Sequence, residues 1–329
     1  MATILVTGGA GYVGSHCCLA LKRAGHDVVV YDNLYNGHER FVKWGPFEHG
    51  DIRDRARLAE VFAAHKPAAV LHCAALIEVG ESVKHPDRFY DNNVTGSLVV
   101  LDVMREAGVK PFVFSSTCAT YGEPQRLPMD EAHPQAPVSP YGWTKLMVEQ
   151  ASRDIAAAHG MTFAHLRYFN AAGAAPDQGI GERHGPETHA IPLALFTLLG
   201  RRENFKIFGQ DYATRDGSCL RDYVHTLDIA DAHVRAAERL IAGGASLGVN
   251  LGTGGGVTVL ELLAAIERVT GMSVPSSLAS RRPGDAPALV ADTTLAKREL
   301  DWTPRRNIDA IIADAWQWHA RVEPSEFRE

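Results

Sequence analysis

The sequence predicts an α/β protein built on a doubly wound parallel Rossmann sheet with a smaller C-terminal lobe. Short apolar runs alternate with longer helical patterns, a glycine-rich turn joins the first run to the first helix, and the texture becomes irregular after about position 170. Such alternation is what parallel strands with helical crossovers require, since each crossover must carry the chain back across a sheet face.

Taken in order, Ile4–Val6 reads as a strand, the stretch from about Tyr12 to Ala24 as a helix, and Val28–Tyr31, Ala69–His72 and Pro111–Ser115 as further strands. Their near-continuous Val, Ile and Leu content suits strands buried on both faces. Two long helical patterns run roughly over Asp87–Ala107 and Tyr141–His159, the second carrying Leu146, Met147, Gln150, Ala151, Ile155 and Ala158 along one stripe. From Ala171 to His189, Gly, Pro and His cluster in a stretch too irregular for a strand or a long helix, which reads as the start of a substrate-covering lobe. The chain then returns to the sheet with a helix over Leu227–Ile241 and a strand over Leu247–Leu251. This gives a dinucleotide-binding domain over 1–170 with returning segments at about 222–252, and a second lobe occupying most of 171–329.

Composition narrows the function. With 329 residues, 46% of them apolar, the chain can bury one large core and a smaller one. A net charge of −6 with both signs interspersed offers no basic stripe for nucleic acid and no polybasic segment for a membrane surface, so small-molecule ligands are expected. The five cysteines show no C-x-x-C spacing and include an adjacent pair unsuited to bridging; they read as buried thiols in a reducing compartment. With no basic leader before the first strand and no apolar run of membrane-spanning length, the sequence is placed in the cytoplasm. Nothing in it calls for a metal.

Directly after the first strand, TGGAGYVGSH spaces Gly8, Gly11 and Gly14 as G-x-x-G-x-x-G at the start of a helix. Glycines there let the backbone turn tightly and approach a pyrophosphate, which the positive end of the helix attracts. Asp32, closing the second strand about 20 residues on, can accept the ribose hydroxyls of NAD and repels the 2′-phosphate of NADP. Asp51 and Ile52 in the GDI after the next run could bracket the adenine. Tyr141 and Lys145 lie four apart on one helix face, just beyond a strand whose end FSSTCATYG delivers Ser115, Ser116 and Thr117 to the carboxyl edge of the sheet. A phenol beside an ammonium and a cationic nicotinamide can serve as a base.

These stretches, with DNLYNG, GESV, YDNNVTG, SPYGWTKLMVEQ, RYFNAAGA, IFGQDYATRDGSCLRDYVH and RRPGD, resemble the extended short-chain dehydrogenase/reductase family over nearly the whole chain, and within it the NAD-dependent epimerases acting on UDP-hexoses. The resemblance implies that Tyr141 takes the proton of the sugar 4-hydroxyl while NAD oxidises C4, and that Lys145 and Thr117 assist. It implies a cofactor pocket that adds Tyr12, Val13, Asn33, Asn36, Cys73, Ala74, Ala75, Asn92, Ser115 and Tyr168 to the residues above. For the substrate it implies Phe169, Asn170, His189, Lys206, Phe208, Arg221, Arg282, Asp285 and Leu289, with the two arginines on the diphosphate and the backbone of Lys206 and Phe208 reading uracil. It also implies a homodimer.

Four positions depart from the best-known bacterial pattern. Thr117 stands for a serine, Ile77 for a lysine, His189 for an asparagine and Leu289 for a tyrosine. Leu289 is expected to favour the glucose and galactose substrates while admitting an N-acetyl sugar weakly; preference for the N-acetylglucosamine or a pentose substrate is the alternative. The dehydratases and decarboxylases of the family carry an acid directly after the strand-end hydroxyl, where this chain has Cys118 and Ala119. A protein that binds NAD without turnover would lack Tyr141 or Lys145.

Overall fold

The computed structural model describes residues 1–185, 187–282 and 286–322. Seven strands form one parallel sheet in the spatial order Leu247–Leu251, Thr162–Tyr168, Pro111–Thr117, Ala69–His72, Thr3–Thr7, Asp27–Asp32 and Phe47–His49. The expected doubly wound sheet is therefore present, and Thr3–Thr7 sits where the strand order reverses.

Alternation along this first strand divides the core. Ile4 and Val6 join Cys17, Cys18 and Leu21 of the Tyr12–Arg23 helix and the alanine-rich Thr226–Ile241 helix on one face. Leu5 joins Leu58, Leu101 and Val148, from the helices Arg55–His65, Gly96–Glu106 and Pro140–His159, on the other. Ile4, Leu5 and Val6 are all fully buried, so the central strand must be apolar at every position.

A second lobe has its own core of Ile191, Leu195, Phe205, Leu262, Ile266, Ile311 and Ile312. Two small sheets belong to it: Phe205–Phe208 beside Ser276–Ala279, and Leu220–Arg221 between Val257–Thr258 and Ala288–Leu289.

Three sequence expectations need correction. The stretch expected as one helix over Asp87–Ala107 is helical from Pro86 to Glu106 but loosens into a π turn over Tyr90–Thr95. The wider turn shifts the helical phase, so Asn92 reaches the main cavity while the Asn93 amide bonds Leu76 and Thr144. The region from Ala171 does contain strands: Asn170–Ala172 pairs with Tyr223–His225, and Ala174–Ala175 pairs with Ile180–Gly181. Runs of two or three residues carry no readable period, and their pairing is set by distant segments.

The third correction concerns the helix Pro140–His159. Ser139 caps it by accepting from the Gly142 N–H at 3.2 Å, and Pro140 fills its first turn. Its buried face holds Tyr141, Gly142, Thr144, Lys145, Val148, Glu149 and Ser152. The apolar stripe lies elsewhere, with Met147 42% exposed and Leu146, Ala151 and Ile155 only half-buried. Polar residues can occupy the inner face because each finds a partner there. Glu149 accepts from Arg167 Nε at 2.8 Å, from Arg167 Nη2 at 2.6 Å and from the Ser116 hydroxyl at 2.6 Å. Burial alone would raise the Glu149 carboxyl, but the Arg167 bonds and nearby His165 prevail and hold it at about 2, below its ordinary value of 4.5. Because its folded value is depressed, this group's contribution to stability is complete above about pH 4.5 and fades as pH falls toward 2.

Arg167→Met leaves the Glu149 carboxylate buried without its main partner. It should cost about 3–5 kcal/mol at neutral pH, read as a fall in the urea midpoint at unchanged slope; a midpoint equal to the parent's would show that the pair does not tie helix to sheet.

Candidate active site

A cavity of about 460 Å³ opens at the carboxyl ends of the strands, beside the reversal in strand order, a size in the usual range for small-molecule sites. One end is built by the glycine turn. Gly8 has φ +72°, and a Cβ there would meet the Ala74 backbone nitrogen at 2.5 Å. A Cβ on Gly14 would lie 2.0 Å from the Gly8 carbonyl oxygen, so the helix and the turn meet at a distance only glycine permits. Gly11 is the helix N-cap, and no side chain there occupies the first-turn N–H groups. The first turn contains no acidic residue, so its positive end is open to an anion.

Asp32 accepts from the Ala10 N–H at 3.0 Å and from the Leu34 N–H at 2.8 Å. Burial raises its carboxyl above the ordinary value against these two bonds. Tyr12, Val13, Asn33, Asn36, Ile52, Cys73, Ala74, Ala75 and Asn92 also line this end. The Tyr12 hydroxyl donates to the Gly173 carbonyl at 2.6 Å, tying the turn to the second lobe's first segment. A dinucleotide fits this cradle: backbone approaches closely where phosphates belong, and a carboxylate lies where a ribose would present its hydroxyls.

At the middle of the cavity stand Thr117, Tyr141, Tyr168, Phe169 and Asn170. The Thr117 hydroxyl accepts from the Ala119 N–H at 3.1 Å, capping a turn, and Thr117 lines the cavity together with Tyr141. The Asn170 side-chain oxygen is buried with no protein partner, an acceptor left for a ligand. Lys145 lies behind Tyr141; its ammonium donates to the Ser115 carbonyl at 2.9 Å and sits 6.0 Å from the centre of the Tyr141 ring. Burial lowers Lys145 to about 8. Burial likewise raises the Tyr141 phenol above its ordinary value, with the nearby Thr117 hydroxyl opposing.

Other expected positions fall differently. Ser115 does not line the cavity itself; its hydroxyl bonds His233 Nε2 at 2.7 Å and, at 3.2 Å, the Sγ of Cys73, which does. The Asp51 carboxylate does not line the cavity either, being bound to Arg53 and to the Asn33 amide. Arg221 and Leu289 line the main cavity from the second lobe. Lys206, Phe208 and Arg282 line an adjoining cavity that shares Asn170, His189 and Arg221 with the first. There the Arg282 guanidinium lies 3.8 Å from the centre of the Phe208 ring. Asp285 lies outside the described residues.

His189, expected as a sugar contact, lines the main cavity, and its Nδ1 is paired with Glu182. It belongs to a cluster with His184 and Glu187 that sequence reading missed, although the string E-x-H-x-x-E-x-H was visible. Burial works against charge on His184, but Glu182 and Glu187 together push it up to about 10.

A glycine cradle, a second-strand carboxylate and a buried tyrosine with its lysine, all at one sheet edge, define the NAD-binding oxidoreductase fold. Within that class the chain belongs to the NAD dependent epimerase/dehydratase family, whose profile spans residues 4–252. It is 59% identical over 319 residues to the UDP-glucose 4-epimerase of Rhizobium leguminosarum bv. trifolii, covering 97% of this chain and 98% of that protein. Its structure is similar to that of UDP-glucose 4-epimerase from Brucella ovis in complex with NAD, with a TM-score of 0.94, 47% identity, and 96% of this chain and 98% of that one covered. It is equally similar to UDP-glucose-4-epimerase from Stenotrophomonas maltophila with bound NAD and formylated UDP-arabinopyranose, with a TM-score of 0.95, 42% identity, and 97% and 98% covered.

Gly14→Ala should abolish NAD retention, since its methyl would overlap the Gly8 carbonyl and neither backbone can yield without reopening the turn. The supernatant of heat-denatured protein, assayed for NAD, checks this; a variant that keeps a full equivalent would show that the turn does not hold the cofactor.

Proposed function

We propose that the protein is a UDP-glucose 4-epimerase that interconverts UDP-glucose and UDP-galactose in galactose metabolism. The observation that carries the mechanism is that Thr117 and Tyr141 line one cavity wall between the glycine cradle and Arg221 of the second lobe. NAD, held by the Gly8–Gly14 turn and Asp32, supplies a two-electron acceptor that oxidises the sugar at C4 and reduces it again. Tyr141 accepts the proton of the 4-hydroxyl and gives it back after the 4-keto sugar has turned over, so no net redox change occurs.

The remaining residues bind and orient. Thr117 positions the 4-oxygen against the Tyr141 phenol. Lys145, fixed by the Ser115 carbonyl, adds positive charge near Tyr141 and would hold the nicotinamide ribose. A cationic nicotinamide bound there would favour the Tyr141 phenolate. Arg221 and Arg282 bind the diphosphate, Asn170 offers its unpartnered oxygen beside it, and the Lys206 and Phe208 backbone meets the uracil. Asp285 would take a ribose hydroxyl.

The nucleotide-sugar site then lies between a dinucleotide domain, 1–170 with 222–252, and a lobe made of the rest. Leu289 stands in the main cavity wall as the gate to larger 2-substituents. The Stenotrophomonas enzyme carries a bound UDP-pentose derivative, which leaves pentose and N-acetyl sugars as secondary substrates to be compared. The site of action is cytoplasmic, where five unpaired thiols stay reduced. No helix among the described residues is long and apolar enough to cross a membrane.

A homodimer belongs to the same proposal. Leu98, 40% exposed, and Trp143 and Met147, each 42% exposed, lie on the adjoining helices Gly96–Glu106 and Pro140–His159, where a two-fold partner would cover them. Light scattering should give twice the chain mass of 35.7 kDa at micromolar concentration, and a value of one chain would contradict the pairing.

Tyr141→Phe should lower kcat by about 10²–10⁴-fold while UDP binding by calorimetry stays near the parent's. Turnover within a few-fold of the parent would mean that another group carries the proton.

A further inference from the structure

Outside the epimerase machinery, one cluster of donors is gathered as a metal site is. Glu182, His184, Glu187 and His189 each present one ligand atom, and the four atoms lie within 4.8 Å of one another. His184 Nδ1 is 3.4 Å from Glu182 Oε1 and 3.7 Å from Glu187 Oε2, and His189 Nδ1 is 3.6 Å from Glu187 Oε1 and closer still to Glu182. Ligands about 2.0–2.1 Å from a tetrahedral Zn²⁺ stand about 3.3–3.4 Å apart, near the 3.4, 3.6 and 3.7 Å separations here, while His189 and Glu182, now in direct hydrogen-bond contact, would have to part to admit the ion.

The donors are also fixed by their surroundings. The Glu182 and Glu187 side chains are 3% and 6% exposed and His184 10%, so charge here must be paired or bound to a cation. The Glu182 carbonyl accepts from the Trp318 indole at 2.7 Å, and Glu187 Oε1 accepts from the Thr188 and His189 N–H groups at 2.7 and 2.8 Å.

We propose that Glu182, His184, Glu187 and His189 form a binding site for a divalent transition-metal ion, with Zn²⁺ the ion its two imidazoles and two carboxylates suit best. With four protein ligands and no open position, the site is structural. His184 and His189 line the main cavity and His189 the adjoining one, so the ion ties the 182–189 segment into the wall shared by both cavities. This assignment does not depend on the epimerase reading, since it rests on the geometry of the four donors.

The test uses the full chain with its NAD, treated with a chelator, dialysed, and titrated with Zn²⁺ or Co²⁺ alone. We expect one equivalent per chain by mass spectrometry of the metal, visible Co²⁺ bands of tetrahedral intensity, and no thiolate-to-cobalt charge transfer. Removing an outer partner of a metal ligand typically weakens binding about 10–100-fold, so His184→Ala and Glu187→Gln, which remove ligands themselves, should each weaken Zn²⁺ binding by at least about 100-fold. Cys17→Ser should leave it unchanged; Cys17, Cys73 and His233 are the other possible donor group among the described residues. Failure of the parent protein to hold an equivalent of either ion, a thiolate signature in its Co²⁺ spectrum, or binding unaffected by both ligand substitutions would each overturn the assignment. The spectrum is read on the parent chain, so the test survives a variant that misfolds.

Discussion

The constraint on which the rest depends is that the Thr3–Thr7 strand is buried on both faces and is the point where the sheet changes direction. Two-sided burial demands helices above and below it. The reversal parts the following segments at its carboxyl end, and the cavity opens in that gap. The glycine turn follows the same strand directly, so the tightest backbone contact in the site, Gly14 against Gly8, is continuous with the centre of the core. A cradle attached so rigidly does not need the ligand to shape it.

The second feature is how much charge the structure buries to hold its chemistry in place. Lys145, Glu149 and Arg167 are all nearly inaccessible, and they link the Pro140–His159 helix to the strands Pro111–Thr117 and Thr162–Tyr168. Tyr141 and Thr117 therefore meet across two elements that a salt-bridged network keeps in register. Burial raises the Tyr141 phenol and lowers the Lys145 ammonium.

How much of this was legible in the sequence follows from the range of each interaction. The strands Ala69–His72 and Leu247–Leu251 lie where their short, mostly apolar runs place them, and the glycine turn was readable because its spacing is local. Tyr141 and Thr117 reach one cavity through the strand-turn-helix order that the sequence displays. The π turn at Tyr90–Thr95 was not readable, since a one-residue shift of phase has no compositional mark. Nor was the inner face of the Pro140–His159 helix, because the two-bond partner of Glu149 is Arg167, 18 residues away on another strand. Ser115 and Ser116 were read as one group at the strand end, yet alternation sends them to opposite faces, one to His233 and one to Glu149. The imidazole and carboxylate cluster at 182–189 was hidden in a stretch whose irregularity suggested only a loop.

The account's central claim is that one cofactor, kept within the protein, takes the electron pair from C4 and returns it to the other face of the same sugar. UDP-glucose carrying deuterium at C4, incubated with the purified protein without added NAD, tests this most directly. The account predicts UDP-galactose that keeps the deuterium at C4, with no accumulation of free NADH. Loss of the label to solvent, or turnover only when NAD is supplied and consumed, would contradict it.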